Sequence, residues 1–285
     1  MIVASCIGDV YQLVQEARRQ QKSVGVVPTM GALHRGHISL IERARQECDY
    51  VLTTIFVNPT QFGPNEDFSR YPRTLDEDLV LCRTAGADLV FTPSQSDMYD
   101  QDAQTFVSVA NVADPWEGAH RPGHFNGVST VVCKLFNITD PDRAYFGQKD
   151  YQQQLVIRQM VKDLNFTIEI VTCPIVREPD GLAMSSRNRY LTLEERTQAL
   201  ELHRALQLAQ SLAQQPNLTP VDVANRMQAH LESAVGINLE YAVVADRRTL
   251  QQLHNWDAPS VALIAAKVGT TRLIDNMEIE RSTKA

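Results

Sequence analysis

Val24-Gly25-Val26-Val27-Pro28-Thr29-Met30-Gly31-Ala32-Leu33-His34-Arg35-Gly36-His37 decides how this chain is read. The first five residues form a short apolar run with three β-branched valines, the pattern of a buried strand. A glycine-containing turn follows. Beyond it Ile38, Leu40, Ile41, Ala44 and Cys48 fall mainly on one helical face. The stretch is therefore strand, turn, helix start. Gly31 and Gly36 have the outer spacing of a P-loop, but His37 and Ile38 stand where Lys and Ser or Thr are required. No GxGxxG fingerprint occurs in the chain. What remains is a helix start carrying His34 and His37. Such a terminus presents N–H groups and the positive end of the dipole, which suits phosphate. Gly31, Ala32 and Gly36 permit close approach to the backbone. Two other readings stay open: a plain turn with two exposed histidines, or a metal pair, for which spacing supplies no third ligand.

Outward from this stretch the alternation continues. Val51–Val57 reads as a second buried strand, stopped by Asn58-Pro59. A helix from about Leu75 to Ala85 leads into Asp88-Leu89-Val90-Phe91. Arg143–Phe146 precedes a helix from about Tyr151 to Leu164, and Ile168–Val171 is another strand. Strands alternating with helices imply α/β architecture with a parallel sheet. Ligands of such sheets bind beyond the carboxyl ends of strands, so the loops after Val27, Val57 and Phe146 are the places for chemistry.

The pattern changes after about Pro174. Thr192-Leu193-Glu194-Glu195 has capping-box spacing, and Ala199, Leu202, Leu206, Ala209 and Leu212 follow at helical intervals. Thr219-Pro220 reads as an N-cap with proline in the first turn. Leu239–Ala245 and Val261–Lys267 are strand candidates. The expected organisation is a Rossmann-like domain over 1–175 and a smaller α+β domain over 176–285.

The chain has 285 residues, is 44% hydrophobic and carries a formal charge of -7. This excludes a general affinity for phosphate backbones and argues against a nucleic-acid partner. No apolar run reaches about 18 residues, so no membrane span is expected. The N-terminus lacks a secretory pattern. Five cysteines occur without a C-x-x-C pair. Four of the five sit within apolar runs and read as core residues in a reducing compartment, hence a cytoplasmic protein.

His34-x-Gly36-His37 is similar to the HIGH signature of the nucleotidyltransferase superfamily. The longer string Pro28–His37 resembles the pantothenate synthetase (pantoate–β-alanine ligase) family. So do Phe56-Val57-Asn58-Pro59-Thr60-Gln61-Phe62, Tyr71-Pro72-Arg73-Thr74, Arg121-Pro122-Gly123-His124-Phe125, Phe146–Gln153, Asp180–Asn188 and Arg272-Leu273-Ile274-Asp275-Asn276, in that order. The resemblance implies condensation of pantoate with β-alanine through a pantoyl-adenylate, with ATP as co-substrate and Mg²⁺. It further implies a homodimer whose C-terminal domain is a lid.

By the same resemblance, ATP is bound by Met30, Gly31, Ala32, Leu33, His34, Arg35, Gly36, His37, Gly147, Gln148, Lys149, Asp150, Val176, Met184, Ser185, Ser186 and Arg187. His34, His37, Lys149 and Arg187 take the catalytic roles. Gln61 holds pantoate and β-alanine, and Gln153 holds pantoate. Glu77 and Asp78 are the implied Mg²⁺ ligands, although Asp76-Glu77-Asp78 equally reads as the solvated start of a helix. Asp150 and Gln153 also have N-cap and N3 spacing, which would serve the helix alone. Arg121 is suited to an anionic substrate, and His124 has no role derivable from sequence. Many family members carry Glu at the position of Gln148; the expected effect of the change is small. Another HIGH-type adenylyltransferase acting on a different small substrate is the alternative.

Overall fold

The computed structural model describes residues 1–281. Contacts divide them into two compact units. The first comprises Met1–Ala113, Arg121–Gln148 and Gln153–Val176; the second comprises Asp114–His120, Lys149–Gln152 and the described chain from Arg177 onward. Lys149 thus groups with the C-terminal unit.

In chain order the first unit contains β1 (Ile2–Ala4), α1 (Ile7–Arg19), β2 (Val24–Thr29), α2 (Arg35–Glu47), β3 (Tyr50–Ile55), α3 (Leu75–Ala85), β4 (Leu89–Phe91) and α4 (Gln95–Met98). A short α5 (Glu117–His120) belongs to the second unit. The first unit resumes with α6 (His124–Thr139), β5 (Arg143–Gly147), most of α7 (Tyr151–Asp163) and β6 (Glu169–Cys173). Its six strands pair in the order β1-β4-β3-β2-β5-β6, and every pairing is parallel.

Both faces of this sheet are covered, as a parallel sheet requires. Val24, Val26, Leu52, Phe91 and Ala144 pack with α1, α6 and α7 on one face. Val27, Val51, Val90 and Tyr145 pack with α2 and α3 on the other. Alternate residues of one strand thus feed two cores. The α2 stripe buries Leu40, Ile41 and Ala44, as its spacing predicts. Each large aliphatic chain so buried stabilises by about 1.5–3 kcal/mol. Strand β2 lies between β3 and β5, where the chain's winding changes direction. That point fixes where a ligand crevice opens.

The second unit has α8 (Leu193–Leu212), α9 (Pro220–Ser233) and an antiparallel sheet β7 (Ile237–Asp246), β8 (Ser260–Val268), β9 (Thr271–Ile279). Both expected caps form: Thr192 with Glu195, and Thr219 with Asp222 beside Pro220. The smaller α+β domain is present, with one strand more than its sequence suggests. Strand β9 holds Arg272–Asn276. Its Leu273 and Ile279 join the core formed with α8 and α9, whereas Arg272, Asn276 and Glu278 make polar contacts with the two short excursions of the chain.

Cys48, Cys82 and Cys173 are buried, Cys133 is half-buried and Cys6 is exposed; all are free thiols. Burial pushes the Cys82 thiol up to about 11, so it is inert packing. Among the described residues no helix is long and apolar enough to cross a membrane.

Candidate active site

The turn after β2 is built from inside. Gly31 and Ala32 both have positive φ, 81° and 49°. For Gly31 a side chain is also excluded by space, since a Cβ would meet Asp78 Oδ2 and Ile55 Cγ2 at 3.0 Å each. The Ala32 and Leu33 amides donate to Asp78 Oδ2 and Oδ1 at 2.9 and 2.7 Å. Thr74 Oγ1 donates to the same carboxylate at 3.3 Å. Asp78 is 1% exposed. The acidic run is therefore only partly the solvated helix start its composition suggests: Asp76 and Glu77 are exposed, and Asp78 points inward to hold the turn. The Mg²⁺ role implied for Glu77 and Asp78 stays an expectation beside this structural role of Asp78. Both Asp78 oxygens serve the turn, and among the described residues no cluster of three or more His, Cys, Asp or Glu is arranged for a metal. The Ala32 and Leu33 amides are thus used by the protein.

The histidines stand at the start of α2 as expected, half-buried, with ring centroids 4.1 Å apart. His34 is the N-cap. Its Nδ1 accepts from the Gly36 amide at 3.1 Å, and His37 Nδ1 accepts from the His34 amide at 3.4 Å. A ring nitrogen that accepts carries no proton, so each neutral imidazole holds its proton on Nε2. The cap geometry makes two Nε2–H donors side by side. Arg35 is exposed and pairs with Glu42, and Met30 is half-buried beside Gln61.

Gln61 ends a 3-10 turn, Pro59–Gln61, after β3. It is 9% exposed, far from the solvated glutamine its local sequence suggests. Asn58 Nδ2 donates to Gln61 Oε1 at 3.0 Å and to the Gly127 carbonyl at 3.2 Å, while Asn58 Oδ1 accepts from Tyr99 Oη at 2.8 Å. Gln61 Nε2 lies 3.2 Å from Met30 Sδ. The turn packs on α6 because Gly127 has no side chain: a Cβ there would lie 2.4 Å from the Thr60 oxygen.

His124 now has a role. Its Nδ1–H donates to the Gln61 carbonyl at 2.8 Å, and its Nε2 accepts from Arg121 Nη1 at 3.0 Å. Arg121, suited by its sequence to an anionic substrate, here meets a protein anion. Its guanidinium bonds both oxygens of Glu66 at 2.7 and 2.6 Å. Burial pulls the Glu66 carboxyl up, and Arg121 outweighs this and holds it below the usual range. Asn58 and His124 were the functional-looking residues without a sequence-derived role. The only local signals were Asn58 before Pro59 and Arg121-Pro122-Gly123-His124 before a helix.

Gln153 is half-buried in the first turn of α7. Gly147 ends β5, and the amide of Gln148 just after it donates to the Cys173 carbonyl at 2.8 Å. Val176, the last residue of the first unit, is half-buried.

Within the second unit, Lys149 Nζ lies 3.8 Å from Asp150 Oδ1, and Asp150 directly precedes α7. The Met184–Arg187 segment is more ordered than an isolated polar loop. Ser185 Oγ caps the 3-10 helix Ser186–Tyr190 by accepting from the Arg187 amide at 3.3 Å. Asn188 Nδ2 donates to Glu178 and to the Ala183 carbonyl, and Arg196 bonds Glu178 and Asp180. Met184, Ser185 and Arg187 are half-buried and Ser186 is buried.

The strand order, with a paired-histidine helix start beyond β2, defines a Rossmann-like α/β protein of the HIGH-motif type. Comparison with known proteins narrows this. The chain belongs to the pantoate-beta-alanine ligase family, whose model matches residues 2–278. It is thereby an enzyme of the ligase class. It is 51% identical over 280 residues to the pantothenate synthetase of Moorella thermoacetica, covering 98% of this chain and 99% of that one. Among solved structures, pantothenate synthetase from Thermus thermophilus superposes with a TM-score of 0.92 at 44% identity, covering 98% and 99% of the two chains. Pantoate-beta-alanine ligase from Francisella tularensis, complexed with Beta-gamma ATP and β-alanine, gives a TM-score of 0.80 at 37% identity, covering 98% and 97%.

Proposed function

We propose that this ligase activates pantoate with ATP as a pantoyl-adenylate and then transfers the pantoyl group to β-alanine, releasing pyrophosphate and AMP. The observation that carries the reading is the pair of imidazoles at the start of α2, each with its Nδ1 held by a backbone amide. Family membership, and the nucleotide and β-alanine in the Francisella complex, support the choice of substrates.

A carboxylate is a poor acyl donor because it is negative and lacks a leaving group. In the first step a pantoate oxygen attacks the α-phosphorus of ATP, a P–O bond forms, and the bond to pyrophosphate breaks. Charge develops on the phosphate oxygens, where preorganised donors act most strongly. His37 is the nearest to a proton donor in this step, with His34 beside it on the nucleotide. Lys149 supplies a point charge to phosphate, and Arg187 a fixed donor fork. Gln61 and Gln153 hold the hydroxy acid through neutral amides, which supply donors and acceptors without adding charge. In the second step the neutral amine of β-alanine attacks the acyl carbon, loses a proton, and expels AMP. Mg²⁺, when bound with ATP, would neutralise charge on the phosphates; held chiefly by them it would need few protein ligands, of which exposed Glu77 is one the resemblance implies. Closure of the C-terminal unit as a lid would keep the adenylate from water. The homodimer and the cytoplasmic location belong to the same proposal, and solution mass checks the first.

Pyrophosphate exchange into ATP tests the chemistry. Exchange should require pantoate and proceed without β-alanine. Exchange with no carboxylic acid present, or no exchange at all, overturns the acyl-adenylate; exchange supported by a different acid in place of pantoate favours another adenylyltransferase.

A further inference from the structure

Arg272–Asn276 stands out in the sequence, and no step above uses it. In the structure, the polar residues of β9 on one face hold the two excursions of the second unit. Arg272 Nη1 and Nη2 bond the carboxylate of Glu117 at 2.8 and 2.6 Å. Asn276 Nδ2 donates to the carbonyl of Lys149 at 2.8 Å, and the Tyr151 hydroxyl donates to Glu278 Oε1 at 3.3 Å. Asn276 and Glu278 are two residues apart on the strand, as are Lys149 and Tyr151 on the segment they hold. Equal spacing lets an extended strand grip that segment at two successive points on one face.

Asn276 is itself held firmly. Its amide donates to Asp275 Oδ1 at 2.8 Å, and its carbonyl accepts from Arg177 Nη2 at 3.4 Å. Arg177 also bonds both Asp275 oxygens, at 2.7 and 3.0 Å. Asp275 is 4% exposed and Asn276 2%. We propose that Asn276, backed by Asp275 and Arg177, is a positioning residue for Lys149. Lys carries its charge on a flexible four-carbon stem, so the placement of its backbone limits where the ammonium can go. An error of about 1 Å in a catalytic group can cost on the order of 100-fold in rate. Only a donor side chain suits the Lys149 carbonyl; a carboxylate would face it with repulsion. The inference rests on the reading of Lys149 as the phosphate-binding cation.

A double-mutant cycle on the full chain, read by pantoate-dependent exchange of radiolabelled pyrophosphate, tests it. Asn276→Ala should lower kcat about tenfold with the KM for pantoate within twofold. In the Lys149→Ala background the same change should cost less than twofold, because the group it positions is gone. A merely structural asparagine would give equal losses in both backgrounds, and that result overturns the inference, as does an unchanged kcat. If Asn276→Ala fails to unfold cooperatively, Asn276→Gln, which displaces the donor by one methylene, replaces it in the cycle under the same criteria. Wild-type exchange with an unaffected Lys149→Ala variant overturns the Lys149 reading and the inference together. Loss in Lys149→Ala with additive Asn276 effects overturns the inference alone.

Discussion

Asp78 accepts the Leu33 amide at 2.7 Å across 45 residues of chain. The turn that carries the histidines is thus held by the buried Asp78 in the first turn of α3, and its geometry belongs to the fold of the first unit. The same carboxylate takes the Ala32 amide, which lets a non-glycine residue keep a positive φ.

Removing that carboxylate should be felt in stability and activity together. Asp78→Ala leaves two buried amides without this acceptor. At roughly 1–3 kcal/mol for each unsatisfied group, the expected loss is about 2–6 kcal/mol by urea denaturation. Asp78→Asn should leave the Mg²⁺ half-saturation of activity unchanged. A marked rise would instead make Asp78 a metal ligand.

Gly127→Ala should act against the usual sign. In a helix interior this change ordinarily stabilises by up to about 1 kcal/mol. Here the new methyl lies 2.4 Å from the Thr60 oxygen and 2.6 Å from the Gln61 amide nitrogen, both backbone atoms. Overpacking of this kind costs about 1–3 kcal/mol. Melting should fall, and the KM for pantoate should rise as Gln61 is displaced. A stabilised variant with normal KM would show that α6 can shift freely.

Glu117 is buried and pairs with half-buried Arg272, with Tyr241 donating to Glu117 at 2.8 Å and Glu240 also bonding Arg272. Arg272→Ala should cost about 3–5 kcal/mol, because it strands a buried carboxylate. Trp116, whose indole N–H donates to the Leu250 carbonyl beside this pair, gives a fluorescence readout. An unchanged emission spectrum and unchanged stability would mean that the excursion is held by packing alone.

His203 supplies a pH dependence. Burial lowers its pKa, the nearby Arg177 lowers it further, and Asp275 opposes them. Its Nδ1 is buried without a hydrogen-bond partner among the described residues. The folded state therefore binds a proton less readily than the unfolded state, whose histidine titrates near roughly 6.5. Above that pH the two states are alike at this site. As pH falls below it toward the depressed folded value, the unfolded state gains the proton first and stability is lost. His203→Gln should lose less stability than the wild type between about pH 7.5 and 5.5, measured by denaturant unfolding. Parallel losses in the two proteins would remove His203 from the account.

Lys149→Ala should lose at least about 2 kcal/mol of transition-state stabilisation, the size of one electrostatic donor. The kcat/KM for exchange measures it. Near-normal turnover would leave Lys149 as a residue of the helix start.

Local pattern was enough for much of this protein. The valines of β2, the apolar stripe of α2, the Thr192 and Thr219 caps and the run Leu89–Phe91 state their structure within a few residues, because each is governed by short-range periodicity or capping. The ordered segments from Pro28 to Asn276 also placed the chain in its family. By contrast, α6 carries no clean apolar stripe, since it is buried on nearly all sides and rich in β-branched residues. In β9, Asp275 and Asn276 interrupt the alternation, because both are buried and both are hydrogen-bonded. Tertiary structure alone decided that Asp78 serves the turn, that Arg121 meets Glu66, that His124 holds the Gln61 carbonyl, and that Asn276 reaches Lys149. These are bonds between buried or half-buried polar groups far apart in sequence. A carboxylate or amide looks the same in the sequence whether it faces water, a ligand or a backbone amide, and only the folded chain supplies the partner.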